Sequence, residues 1–561
     1  MQQFEEAGPE TCATTATKAT RDPEGQQKPE QQILRTDTLL SLPPEPSALD
    51  ANVVLFKSKN DPDNPFAWSA WKKWRVLGVV QLCCLCVTMN ATIVTGAYDG
   101  LRSYFRISRH IVVLSVSFYV VGLGFGSILS APLSELYGRR PVYLTSFALF
   151  VLLTVPLVFL PRGHAGFVLL CFVRFLQGFV ASAHLSVANG TISDVFDVNK
   201  AFLPVSFYAQ VPFLGPVLGP LVGALLDHTY ETGGHSKSDE LQTWHLTIYF
   251  TITLCSSAFL LLLLFVPETY TPILLVHRAR RLRDATGNTN LYALHEEKMR
   301  TLSPSSSRQP LLLIILRTTL FGCFLPLLKE PLLLILSFWS ALLLSILYLF
   351  FQLFPLVFGA AYTFTPLECS LSLLGIVVGM LLAMLSMPLW SILYAHQLQP
   401  RLKSTENKRS VLSYLFQRPA IASPEARLPM ALLGCFLGPI SLFLFAMSTR
   451  GPSSAKAPPH WILPILSTAP FGAALIFLFT PLQLFLNETY LPVVASATAV
   501  SVFIRSTSCA SLPIFTNYLN EKIGARGLGI VLAVVQLLMI PIPFTLYFFG
   551  PRIRKRSRFY L

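Results

Sequence analysis

Residues 331–358 read PLLLILSFWSALLLSILYLFFQLFPLVF, 28 positions without an Asp, Glu, Lys or Arg. At about 1.5 Å per residue, a helix of that length is longer than the roughly 30 Å hydrocarbon core of a bilayer. Comparable runs follow at roughly 370–394, 429–448, 461–482, 490–517 and 525–550. Six more precede it at roughly 74–95, 111–132, 141–160, 166–192, 201–226 and 246–267, with a polar segment over 268–330 in between. The sequence therefore predicts an all-α polytopic membrane protein of 12 transmembrane helices arranged as six plus six.

Composition agrees with that reading. Apolar residues make up 53% of the 561 and charged residues only 13%, about half the share usual in soluble domains. The net charge of +14 needs no nucleic-acid partner if the basic residues occupy loops on one side of a membrane. Cys83, Cys84, Cys86, Cys171, Cys255 and Cys509 fall inside apolar runs and form no metal-ligand spacing with His, so no metal or other cofactor is expected. The first 50 residues hold 9 acidic and 4 basic side chains and no apolar signal core, which predicts a disordered cytosolic tail extending to about residue 70.

Assigning Lys and Arg to alternate sides places about 28 with the termini and the central loop and about 9 opposite. The positive-inside rule then puts both termini and the loop in the cytosol. The expected organisation is a tail over 1–70, a six-helix half over 71–267, a cytosolic loop over 268–330, a second half over 331–550 and a basic tail over 551–561. Only two basic residues, Arg174 and Arg505, remain inside spans.

The turn after the second span reads APLSELYGRRPVYL (131–144), and the fourth span carries RFLQGF (174–179). The fifth contains VPFLGPVLGPLVG (211–223). Together these resemble the signatures of the major facilitator superfamily, which implies a fold of two pseudo-symmetric six-helix halves rocking about a midplane site. Three flanking stretches narrow the resemblance to the fungal 12-span drug:proton antiporters: NPFAWSAWKKW (64–74), PETYTPILLVHRARRLRDATGN (267–288) and FGPRIRKRSRF (549–559). The resemblance runs from about residue 61 to the end; Ala131, Leu136, Val211 and Pro220 depart from the usual motif residues.

On the resemblance, Glu135, Gly138, Arg139 and Arg140 form a cytosolic gating turn, with Asp194 at the end of the fourth span as a candidate ion-pair partner. A plain positive-inside anchor is the alternative. Arg174, costly inside a span by about 2.5 kcal/mol or more, should face the bundle interior, as a modulator of proton transfer or as a helix tie. Gly215, Gly219 and Gly223 make a small-residue stripe beside Pro216 and Pro220, suited to close packing in an antiporter-type helix. Arg278, Arg280, Arg281 and Arg283 follow an apolar stretch and suit a short basic helix on the inner leaflet. A second basic turn between the eighth and ninth spans is not expected from YAHQLQPRLKS (394–404).

Polar residues stranded in apolar runs are candidates to line a substrate path: Asn90, Tyr119, Gln210, Tyr348, Gln352, Gln483 and Arg505. Interhelical hydrogen bonding is the alternative for each, and His184 reads as structural. Every Asp and Glu lies in a tail, a loop or a span end, so proton coupling falls to margin residues such as Asp99 and Asp227 with Arg174 as modulator. The implied activity is secondary transport, a proton-coupled antiporter exporting lipophilic or cationic small molecules such as drugs, polyamines or metabolites. Small-molecule substrate, proton and bilayer are the expected partners of a monomer, in the plasma membrane or the vacuolar one. An importer on the same fold and a non-transporting sensor stay open; an enzyme is not expected, since no catalytic motif is present.

Overall fold

The computed structural model describes residues 52–56, 58, 61–197, 200–232, 243–302, 324–398, 424–449, 459–490 and 493–554. Among them, 12 helices are long and apolar enough to cross a membrane. They run Ala70–Phe105, His110–Tyr137, Arg139–Phe159, His164–Val195, Phe202–Tyr230 and Trp244–Phe265 in the first group. Pro331–Gly359, Pro366–Leu393, Pro429–Ser448, Ile462–Thr489, Val494–Thr516 and Tyr518–Arg554 form the second. Large apolar side chains such as Phe159, Leu264 and Leu385 project outward, as they do from a protein solvated by hydrocarbon.

Lipid tails are as apolar as leucine, so close backbone approach has to hold such helices together. Gly122 and Gly126 of the second span and Gly178 of the fourth lie directly against the facing backbone, where any Cβ would collide. Gly375 and Gly379 of the eighth span and Gly472 of the tenth do the same in the other half. The predicted stripe packs on the first span: Gly215 against Thr88, Gly219 against Thr92 and Gly223 against Ile93. Pro220 has no N–H to offer the carbonyl of Pro216 four residues earlier, and Thr92 Oγ1 donates to that carbonyl from 2.9 Å instead.

The two groups meet along the second and eleventh spans. Ser117 Oγ donates to Ala510 O and Ser127 Oγ to Ala499 O, each at 2.9 Å, so the seam is bonded at two levels. Ala131, Ala495 and Ala499 close it toward the end that bears the basic loops.

At that end, backbone contacts reach residues that the composition assigned to the tail. Val54 N donates to Tyr292 O at 2.9 Å and Tyr292 N to Asn52 O at 3.0 Å, a parallel bridge that orders residues placed in the tail by composition. Asp61 accepts from Arg278 at 2.6 Å, fixing the chain just before the first span. The basic segment is a helix, Thr271–Thr286, ended by Gly287 in the left-handed region (φ 69°). Its Val276 and Ala279 pack on Val54 and Ala293. Part of the apolar side assigned to the inner leaflet is therefore used against protein. Residues 1–51, most of the 394–404 loop stretch and the tail from 555 lie outside the described residues.

Candidate functional site

Two clusters of charge sit at the basic end. In the first, Gly138 adopts φ 97°, and a Cβ there would press on the carboxylate of Glu268. That carboxylate accepts from Arg139 N at 2.9 Å and Arg140 N at 3.1 Å, capping the third span, and from the backbone of Thr269 and Tyr270. Arg139 Nε donates to Asp194 Oδ2 at 2.9 Å, and its Nη1 to Ser134 Oγ at 2.6 Å. Gly190 leaves room for the guanidinium, which also covers the Tyr270 ring at 4.6 Å. Burial first, and Glu135 beside it second, push the Tyr270 hydroxyl above its ordinary pKa. Arg140 is exposed and reaches Leu263 O at 3.2 Å, so of the two arginines Arg139 is the partner of Asp194.

The second cluster was not nominated from the sequence. Arg427, just before the ninth span, pairs with Glu488 at the end of the tenth. Arg554, ending the twelfth, donates to Glu425 at 2.8 Å, and Gly550 leaves the space Glu425 occupies. All four side chains are about a tenth exposed or less. A basic-turn motif is absent, yet the C-terminal group has a buried ion-pair network in the corresponding place. Arg427, Asn487 and Glu488 face Ser193, Phe196 and Val205 of the first group across a small cavity.

Deeper in the bundle, Arg174 is fully buried. Its Nη1 donates to Asn90 O at 2.8 Å, near the point where the first span tightens from α-helix to the 3-10 turn Ile93–Ala97. The guanidinium lies 5.2 Å from the Tyr119 ring, whose hydroxyl donates to Val87 O at 2.8 Å. Gln177 Nε2 reaches Thr154 Oγ1 at 2.9 Å. Arg174 Nε and Nη2 have no partner among the described residues, and Arg174 is one of the residues lining a cavity of about 20 Å³, room for about one water. Arg505 is equally buried, its guanidinium 5.0 Å from the Phe479 ring, and Phe479 meets Phe213 of the fifth span edge-on at 5.0 Å. Tyr348 of the seventh span is buried, its ring 5.4 Å from that of Phe351. Gln352 Nε2 approaches Tyr98 Oη at 3.4 Å, joining the seventh span to the first. Gln210 Nε2 and Gln483 Oε1 are buried without partners among the described residues, and such orphans in a native interior call for an explanation.

Twelve spans in two groups, a left-handed glycine just before a capped basic pair, and an arginine inside the fourth span form one constellation, and residues 81–513 match the family described as Major Facilitator Superfamily. The chain belongs to the Major Facilitator Superfamily. It is 32% identical over 491 residues to "Probable drug/proton antiporter YHK8" of Saccharomyces cerevisiae, covering 87% of this chain and 86% of that one. It is 35% identical over 437 residues to "Efflux pump atB" of Aspergillus terreus, covering 78% and 83%. The solved structure of the proton:xylose symporter XylE from E. coli superposes with a TM-score of 0.56 at 15% identity, covering 86% of this chain and 97% of that one. At that identity the likeness concerns the major facilitator fold alone.

Within this superfamily member the remaining candidates occupy several depths. Asp99 stands at the far end of the first span with its side chain 83% exposed, paired with Arg102 at 3.1 Å. Asp227 lies half-buried near the same end of the fifth span. His184 is buried between the rings of Tyr143 and Phe147, at 5.2 and 4.9 Å, away from Arg174 and within the first helix group.

Proposed function

We propose that this integral membrane protein is a proton-coupled antiporter that exports lipophilic small molecules by alternating access, as a monomer with cytosolic termini in the plasma membrane. The observation that carries the reading is a pair of buried arginines, Arg174 from the first helix group and Arg505 from the second, each with at least one guanidinium nitrogen that has no partner among the described residues. Relatives named as a drug/proton antiporter and an efflux pump support the direction and the coupling.

Rocking of the halves separates the seam bonded by Ser117 and Ser127, and the ion-pair clusters set how firmly the basic end stays shut. Asp194 and Glu488, each held by an arginine, open to cytosolic water when that end parts. Asp99, exposed as it is, suits a proton antenna at the entrance better than a protected binding site, and Asp227 stands at the same entrance. Arg174 and Arg505 present donors at a depth where no described carboxylate lies. Within the class of drugs, polyamines and metabolites, that balance favours neutral or acceptor-bearing lipophiles over polyamine cations.

Purified full-length protein in proteoliposomes with an imposed pH gradient tests this. Gradient-driven movement of a neutral fluorescent lipophile, lost in Arg174→Ala and Arg505→Ala, supports the assignment. Movement of labelled spermidine in preference to the lipophile contradicts the substrate class, and transport in the same direction as the proton contradicts antiport.

A further inference from the structure

The second and fourth spans cross tightly where Gly122 and Gly178 meet the facing backbone at Phe175 and Tyr119. Beyond that crossing, toward the end opposite the basic loops, the helices diverge and leave a groove of about 610 Å³, within the roughly 300–1,000 Å³ of ordinary ligand pockets. Its wall on the second span includes Ile111, Leu114 and Phe118, and its wall on the fourth includes Val168, Cys171 and Phe172. Ile111, Phe118, Val168 and Phe172 are exposed large or branched apolar side chains, so the groove opens toward hydrocarbon. A wedge of this volume between splayed helices forfeits dispersion contacts unless an apolar chain fills it.

The rim of the groove has a sign. His164 lines it, exposed, at the first turn of the fourth span. Arg162 is exposed two residues earlier, and Arg106 is exposed next to the lining residue Ile107. Residues 101–118 and 155–175 contain no Asp or Glu. An apolar slot with His164 at its mouth and two exposed arginines beside it, Arg162 over the Tyr104 ring at 5.6 Å and Arg106 next to Ile107, matches an acyl chain beneath an anionic headgroup.

We infer that the groove between the second and fourth spans is a binding site for an anionic glycerophospholipid, with one acyl chain in the slot and the phosphate at Arg162 and His164. The site lies in the leaflet opposite the basic loops, which is the outer leaflet when the termini are cytosolic. The inference is independent of substrate and coupling. It requires only that the chain spans a bilayer.

The test uses purified full-length protein in nanodiscs doped with a diazirine-tailed phosphatidylglycerol or the matching phosphatidylcholine, with crosslinked peptides mapped by mass spectrometry. Phosphatidylglycerol is expected to label residues 164–175 several-fold more than phosphatidylcholine does. Val168→Trp, which fills the slot, should reduce that label at least fivefold, while label on the sixth span stays constant. Arg162→Glu should remove the headgroup preference and leave tail labelling in place. Equal labelling of all lipid-facing helices, unaffected by Val168→Trp, means annular lipid only and overturns the site. Displacement of the probe by a transported lipophile, with no headgroup preference, overturns the lipid assignment in favour of a substrate groove.

Discussion

Arg139 and Asp194 stand 2.9 Å apart, one opening the third span and the other closing the fourth, and both are largely buried. A pair of this kind resists separation because either charge left alone is costly, by about 3–5 kcal/mol when one partner is removed from a buried pair. Asp194→Asn is expected to lower transport about tenfold or more and to raise labelling of a Ser193→Cys reporter at the seam. The exchange Arg139→Asp with Asp194→Arg should restore part of the transport. Unchanged transport and labelling in Asp194→Asn would remove the pair from the gate.

Arg427 and Glu488 predict the same behaviour in the other half. Glu488→Gln should increase cytosolic access to the seam, and its combination with Asp194→Asn should open it further than either alone. If the double variant is no more accessible than one single variant, the two clusters do not act as separate locks.

Thr92 supplies the hydrogen bond that Pro220 withholds from Pro216. Thr92→Val is therefore expected to destabilise the purified protein by about 1 kcal/mol, whereas Thr92→Ser keeps the hydroxyl and should be close to neutral. Thermal unfolding in detergent compares the two directly.

Close approach at the fifth span makes a graded prediction. Gly215→Leu forces a side chain into Thr88 and should cost about 3 kcal/mol or more, with loss of transport and of folded yield. Gly78→Ala places a methyl in open space on the first span and should be tolerated. Size-exclusion profiles and transport of both variants check the contrast.

Glu296 provides a pH-dependent element outside the membrane. Burial works against its charge, but hydrogen bonds from Arg283 and from Ala293 N, with Arg280 nearby, hold its carboxyl below the ordinary value. A depressed folded value means the pairing stabilises the docking of the Thr271–Thr286 helix on the segment at Ala293 above the ordinary carboxylate pKa, and that support fades as pH falls through the folded value. Proteolysis between 287 and 294 should stay slow from neutral pH down to the ordinary carboxylate range and become faster only below it. Glu296→Gln should be cleaved at neutral pH as the parent is in acid.

Much of this architecture was readable before any coordinates. The spans were, because an uncharged run such as 331–358 has few alternatives to a bilayer. A basic partner for Asp194 was, in outline, because the second and fourth spans both end there, but the sequence left Arg139 and Arg140 open and solvation of Asp194 as the alternative. Glu268 was not: its role as a cap depends on the loop after the sixth span folding back to the third, which no local pattern records. Arg554 falls in the stretch 549–559 that carries the family resemblance, but Glu425 lies 129 residues away and nothing in that stretch points to it, so only the packing of the twelfth span reveals the pair. The bridge between Val53 and Tyr292 was masked in a similar way, since a few residues of backbone pairing leave no periodicity in an otherwise polar leader. The orphaned donors of Arg174 and Arg505 required the structure as well, because sequence placed the charges inside spans without showing what they meet.

The central claim is proton-driven export. Its most direct measurement is cellular accumulation of a panel of labelled neutral lipophiles, lipophilic cations and polyamines in a transporter-depleted host expressing this chain, with and without a proton uncoupler. The account predicts reduced accumulation of the neutral lipophiles, abolished by the uncoupler and by Arg174→Ala. Increased accumulation of any of them, or a reduction that survives the uncoupler, contradicts it.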